Sequence, residues 1–459
     1  MFLDIDKKLS STIAAIDDSG ALITYGALKE FCEEFYDALP RRTLIFIMAE
    51  NVIGSLGGYV AALSNRIVPL IINAHIDRQL YETLKDLYKP EFIWGRETLL
   101  EGMPIVFSKY GFGLARTGLL PDPLYDELSL LLPTSGSTGS PKLVRHSYRN
   151  VESNARNVAS LFNLNDQERA MASLPMHYTM GLSVISSHLY AGATLLLSDK
   201  SLMDASFWRM MKEERATSFT GVPYSFEILN KMRFFRMDLP YLKLITQGGG
   251  KLPDELFKTC AEYAERTGKK FIATYGQTEG TARMAYLAPE LAMTKVGSIG
   301  GAIPNGSLSI IDESGHEMSE GEGVGEMIYR GPNVTLGYAV CGEDLGKGDE
   351  NNGILYTGDV AQRDKDGCYY IVERMKRFLK IFGLRIGLDE VEHLVKSAFD
   401  TDCLCGGDDE KLIIKITNRM IPEQVLDFVV QKTKLFHKNI QVEVVGEIKR
   451  NAAGKVILN

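Results

Sequence analysis

The sequence predicts an α/β protein: a large layered N-terminal domain that ends in a small β-rich subdomain, followed by a small α+β C-terminal domain. Three observations carry this expectation. Short apolar runs alternate with helix-length amphipathic segments over the first three hundred residues, the texture then changes to short strands and Gly-rich turns, and a basic stretch precedes a final compact module. At 459 residues the chain is also too long for one simple core.

The alternation begins with LIFIMA at 44 to 49 as a strand, Ile53 to Leu63 as a helix and IVPLII at 67 to 72 as a strand. The apolar stretch from Ile53 to Ile72 is interrupted by Asn65, Arg66 and Pro69, so it lacks the ~20 apolar residues that span a bilayer. The rhythm returns where ATLLL precedes FWRMMKEER, SFTGVP precedes YSFEILNKM, and LKLITQGGG precedes DELFKTCAEYAERTG. From about Gly300, SLSIIDESG, GEMIYRG and GCYYIVE read as short strands between turns. A linker near residues 374 to 376 divides an N-terminal domain, 1–374, from a C-terminal domain, 375–459.

Composition is that of a globular protein, 45% hydrophobic and 24% charged. The formal net charge of −8 argues against nucleic acid or anionic membranes as partners and favours a small molecule. Cys32, Cys260, Cys341, Cys368, Cys403 and Cys405 are spaced unlike a zinc site, and MFLDIDKKLS is unlike a secretory leader, so a cytoplasmic protein with reduced thiols is expected.

The densest chemical signal is Thr134-Ser135-Gly136-Ser137-Thr138-Gly139-Ser140-Pro141-Lys142, after the apolar run LSLLL. Glycines let the backbone turn with its amides exposed, hydroxyls donate to phosphate oxygens and the lysine adds a point charge, a combination suited to polyphosphate. It is not a Walker loop: GxxxxGK[ST] is absent, and Leu143 and Val144 read as extended before a helix start at Ser147.

TSGSTGSPKLVRHSYRN resembles the phosphate-binding signature of the adenylate-forming superfamily, which includes acyl-CoA synthetases, luciferases and the adenylation domains of peptide synthetases. Further segments follow in that family's order. Tyr275-Gly276-Gln277-Thr278-Glu279 resembles its aromatic-Gly-x-Thr-Glu motif, which implies that Tyr275 stacks on adenine, Thr278 contacts the α-phosphate and Glu279 holds Mg2+. Tyr356-Thr357-Gly358-Asp359 resembles the motif whose aspartate accepts the ribose hydroxyls, and Arg374 matches an arginine that also reaches the ribose. Lys376 falls at the hinge about which the C-terminal domain is expected to turn; many members have aspartate there, and Glu373 replaces the usual preceding glycine. Gly383-Leu384-Arg385-Ile386 resembles the loop that faces the site during thiol transfer. Arg374, Lys376, Arg377, Lys380 and Arg385 form a basic set that reads either as phosphate contacts or as a solvated face. Lys449 to Lys455 resembles the segment that delivers a catalytic lysine, Lys455, to the carboxylate and α-phosphate.

For the acid, Pro175-Met176-His177-Tyr178-Thr179-Met180-Gly181 resembles a segment near the acyl pocket. His177 or Tyr178 gates that pocket, or else His177 is an ordinary buried histidine. Gly221-Val222-Pro223 and Gln247-Gly248-Gly249-Gly250 match two more pocket segments, with Gly248 and Gly249 flanking adenine. Amino-acid-activating relatives place an aspartate in the first segment to pair with an ammonium group. None occurs from Pro175 to Ser198, so a substrate without an α-amino group is expected.

The resemblance implies an ATP-dependent acid:thiol ligase using ATP, Mg2+ and coenzyme A. It would activate a carboxylic acid as its acyl-adenylate and pass the acyl group to coenzyme A or, alternatively, to the phosphopantetheine arm of an acyl carrier protein. From other classes, a P-loop kinase or NTPase would yield ADP, and a non-catalytic nucleotide-binding protein would turn over nothing.

Overall fold

The computed structural model describes residues 1–133, 142–312, 314–374, 378–382, 384–399 and 401–448. It divides into two compact units: one comprises Met1–Pro133 and Pro141–Glu373, and the other takes over from Arg374. The α/β layering read from the sequence is present, with a second, smaller unit of mixed strands and helices.

Two large sheets organise the first unit. The first runs Gly337–Ala339, Leu143–Ser147, Leu128–Pro133, Val68–Asn73, Leu44–Ala49, Phe92–Arg96, Phe112–Arg116, Ile105–Lys109. Its centre is parallel and its flanks antiparallel. The run LIFIMA is buried at every position, as a central strand covered on both faces should be. The helix Ile53–Ser64 packs behind it through glycines: a Cβ on Gly54 would lie 2.2 Å from the Phe112 ring and one on Gly58 2.3 Å from Trp94. Among the described residues no helix is long and apolar enough to cross a membrane.

The second sheet runs Gly301–Ala302, Ala285–Tyr286, Lys270–Tyr275, Leu244–Gln247, Ser218–Gly221, Arg169–Ala172, Thr194–Leu197, Ile13–Asp17, Leu22–Thr24. From Lys270–Tyr275 to Ile13–Asp17 the strands are parallel. Its connecting helices carry the predicted apolar stripes, as in Asp254–Thr267, which buries Leu256, Phe257, Cys260, Ala261 and Ala264. Gly268, at φ 66°, ends that helix in the left-handed conformation only glycine adopts cheaply.

A five-stranded sheet, Glu317–Met318, Ser307–Ile311, Gly323–Arg330, Ile354–Arg363, Tyr369–Arg374, forms the β-rich subdomain. In the smaller unit the hairpin Phe378–Ile381 with Leu384–Gly387, the sheet of Cys403–Gly407, Leu412–Ile416 and Ile440–Val444, and the helices Leu388–Ala398 and Pro422–Thr433 enclose a separate core around Ile381, Val395, Ile414 and Val425.

Candidate active site

Four of the segments singled out in the sequence leave the carboxyl ends of neighbouring parallel strands in the second sheet. Pro175–Gly181 follows Arg169–Ala172, Val222 follows Ser218–Gly221, Gly248 follows Leu244–Gln247, and Gly276 follows Lys270–Tyr275. Gly221 pairs with Gln247, and Gln247 with Ala273, so the strand ends lie nearly level. Loops at the carboxyl edge of an open α/β sheet are where such folds bind ligands.

The turn after Tyr275 is very tight. A Cβ on Gly276 would fall 1.3 Å from the Ala282 carbonyl oxygen, so only glycine fits. The Ala282 amide donates to the Gln277 carbonyl at 3.2 Å and the Met284 amide to that of Tyr275 at 2.8 Å. Thr281 and Ala282 take positive φ values of 49° and 74°, uncommon for residues with a Cβ. Thr278–Gly280 forms a short 3-10 turn between these closures, with Thr278 buried.

Tyr275 is buried, and its hydroxyl donates to Asp359 Oδ2 at 2.5 Å. Gln277 Nε2 donates to the same oxygen at 3.0 Å, to Tyr275 Oη at 3.0 Å and to the Thr357 carbonyl at 2.9 Å. A 1%-exposed carboxylate is thus fixed by side chains from a different strand. Hydrogen bonds to a carboxylate are short and strong, and they hold it in one place.

A second group forms beside Glu279. Tyr338 Oη donates to Glu279 Oε1 at 2.7 Å, and Lys142 Nζ lies 3.4 Å from the centroid of the Tyr338 ring. Tyr338 therefore links the lysine that closes the Gly/Ser/Thr string to the glutamate of the next motif. It is placed by pairing of Gly337–Ala339 with Leu143–Ser147, in which Tyr338 sits opposite Val144. Sequence reasoning missed it, because a three-residue strand carries no periodicity. Next to it, fully buried Arg145 donates to the carbonyls of Leu336, Tyr338, Lys347 and Gly348 and to Glu350, fastening the 336–350 segment to the strand. His146 Nε2 meets the Thr278 carbonyl at 3.2 Å. The helix Tyr148–Leu161 begins at Ser147 as the sequence suggests, with a reciprocal capping box between Ser147 and Asn150.

Around the expected acyl pocket, Tyr178 is 45% exposed and its ring centroid lies 4.5 Å from that of His177. Burial holds the His177 imidazole down at about 4, so it is neutral at pH 7. A Cβ on Gly181 would meet the Pro175 carbonyl oxygen at 2.4 Å, which fixes the approach of the helix Thr179–Ala191 to the preceding loop. Gly248 faces Met180 and Thr274 with no room for a Cβ, and Gly249, at φ 77°, lies against Val222. The structure therefore brings Met180, Gly248, Gly249 and Val222 together.

Thr134, Ser135, Gly136, Ser137, Thr138, Gly139, Lys376, Gly383 and Lys455 lie outside the described residues. Arg374 ends the strand Tyr369–Arg374. Among the described residues no group of three or more His, Cys, Asp or Glu side chains is placed to hold a metal. Glu279 alone suits Mg2+ arriving with a nucleotide, since that ion usually takes one or two carboxylates together with phosphate oxygens and water.

The chain is 30% identical over 341 residues to indoleacetate–CoA ligase of Aromatoleum aromaticum, covering 71% of this chain and 65% of that one. It is 28% identical over 346 residues to oxalate–CoA ligase of Arabidopsis thaliana, covering 72% and 66%. The matches thus span a little under two thirds of these relatives' length. In fold it is similar to o-succinylbenzoate CoA synthetase of Bacillus subtilis, with a TM-score of 0.79, 19% identity and coverage of 99% and 96%. The model for the AMP-binding enzyme family matches residues 7–339, and the chain belongs to that family.

Proposed function

We propose that the chain is an ATP-dependent acid:thiol ligase. In the first half-reaction an oxygen of the acid's carboxylate attacks the α-phosphorus of MgATP and the bond to pyrophosphate breaks, leaving an acyl-adenylate. In the second, the thiol sulfur of coenzyme A attacks the acyl carbon, AMP departs and the thiol proton is lost to solvent. The observation that carries this reading is the buried Asp359 carboxylate, held by Tyr275 and by Gln277, which lies two residues before Glu279 of the Lys142–Tyr338–Glu279 group. It joins an acceptor suited to a ribose diol with a cation and a metal-binding carboxylate suited to polyphosphate.

In this reading Asp359 accepts the ribose hydroxyls, and Gly248, Gly249 and Tyr275 border the adenine. Thr278 meets the α-phosphate, and Glu279 binds the nucleotide's Mg2+. Lys142 and the hydroxyls of Thr134, Ser135, Ser137 and Thr138 hold the outer phosphates. Arg374 reaches the ribose, Lys376 is the hinge, Gly383 belongs to the thiol-transfer loop, and Lys455 stabilises charge during adenylation. His177, Tyr178, Gly181 and Val222 shape the acyl pocket. The names of the relatives support coenzyme A as acceptor and a carboxylic acid as substrate. Six cysteines in the reduced state fit a reducing compartment such as the cytoplasm.

The test is incubation with MgATP, coenzyme A and a panel of acids, with AMP, pyrophosphate and acyl-CoA read together by mass spectrometry. Acid-dependent AMP plus acyl-CoA is expected. AMP or a trapped acyl-adenylate without acyl-CoA would move the acceptor to a carrier protein's phosphopantetheine arm. ADP would overturn the reading.

A further inference from the structure

Arg283 is a guanidinium buried to 1% exposure, and no carboxylate pairs with it among the described residues. Its Nη1 donates to Ser183 Oγ at 3.0 Å, Nη2 reaches Thr246 Oγ1 at 3.5 Å, and Nε has no partner. The Phe162 ring covers it, 5.1 Å from Cζ. Its own carbonyl accepts from the Asn154 and Asn333 side-chain amides at 2.9 and 3.2 Å, so the main chain at this point is fixed.

The residues it touches belong to the segments that shape the site. Ser183 lies in the helix Thr179–Ala191, just beyond Gly181. Thr246 directly precedes Gln247-Gly248-Gly249, and Arg283 itself leaves the turn that carries Thr278 and Glu279. The acyl helix, the glycine turn and the nucleotide turn therefore converge on one cation. A cavity of about 20 Å3, room for one water, is lined by Ser183, Asn154 and Thr281; Ser183 and Asn154 also hydrogen-bond to Arg283.

Burial lowers the Arg283 pKa to about 10, which leaves it protonated at neutral pH. Of the five N–H donors of a guanidinium, those seated here meet only neutral hydroxyls. Hydroxyl dipoles and an aromatic face offset part of the desolvation of a buried charge, yet such a charge ordinarily has an anion beside it.

We propose that the substrate supplies that anion: the chain selects acids with a second carboxylate, which Arg283 receives while the first is presented to the Thr278–Glu279 turn. This rests on the ligase reading and narrows its substrate to diacids. The same cation repels an ammonium group, in keeping with the absence of an aspartate between Pro175 and Ser198.

The test compares matched pairs, hexanoate with adipate and benzoate with the three benzenedicarboxylates, by acid-dependent pyrophosphate release. At least one diacid should exceed its monoacid by about 10²-fold or more in kcat/KM, the scale set by a buried charge pair. In Arg283→Met that ratio should fall to within a few fold of unity, mainly through KM, and Arg283→Lys should keep part of it. Wild-type indifference to the second carboxylate, or equal loss for both members of every pair in the Met variant, would overturn the proposal and leave the ligase reading standing. Should no acid release pyrophosphate, the ligase reading fails, and thermal unfolding in diacid or monoacid decides the Arg283 site by itself. Stabilisation by diacid in wild type but not in Arg283→Met supports the site; no difference ends it. If the Met variant does not fold, the wild-type ratio and the Lys variant still decide.

Discussion

Tyr275 and Asp359 show how much one hydroxyl can do in a protein interior. Removing it in Tyr275→Phe leaves the ring in place but takes a donor from a buried carboxylate. The expected cost is about 1–3 kcal/mol in urea unfolding, together with a raised KM for ATP if Asp359 serves the ribose. Fully buried His146 and His188 make a second prediction, since burial lowers each imidazole from its ordinary 6.5 to about 4. Between those values the unfolded chain binds protons that the folded chain does not, so stability is full above pH 6.5 and falls as pH drops towards 4. The loss reaches on the order of 3 kcal/mol per imidazole by pH 4. Unfolding midpoints measured across this window should show the decline, and His188→Asn should make it shallower by the share of one imidazole. A slope unchanged by that substitution would refute the assignment to His188.

At the scale of elements, the strand–helix rhythm was readable because each segment repeats its apolar residues at a period its own geometry imposes. LIFIMA, the helix after Ser147 and the helix Asp254–Thr267 all fall where their patterns place them. The motif resemblance singled out Tyr275, Glu279 and Asp359, though not the hydrogen bond that joins the first and last. Tyr338 and Arg283 were not readable: one owes its place to strand pairing across almost two hundred residues, the other is a buried guanidinium that meets neutral hydroxyls and no carboxylate among the described residues. Neither property is local. The tight turn after Tyr275 predicts that Gly276→Ala, forced onto the Ala282 carbonyl, costs more than about 3 kcal/mol or prevents folding. Thermal unfolding checks this, and a variant within 1 °C of wild type would contradict it.

For the whole molecule, the two units have separate cores: the one around Ile381, Val395, Ile414 and Val425 shares no member with those of the first unit. A chain ending at Glu373 is therefore expected to fold and unfold cooperatively, with a circular-dichroism signal rich in both helix and strand. A molten or aggregated product would show that the first unit depends on the second. Within the first unit, the contacts of Arg145 also govern how the chain matures during synthesis. Its acceptors at Leu336, Lys347 and Glu350 leave the ribosome about 200 residues after it does, a wait of roughly 10–40 s at ordinary elongation rates. Throughout that wait the edge of Leu143–Ser147 that Gly337–Ala339 later covers stays unpaired, open to strand pairing with other chains.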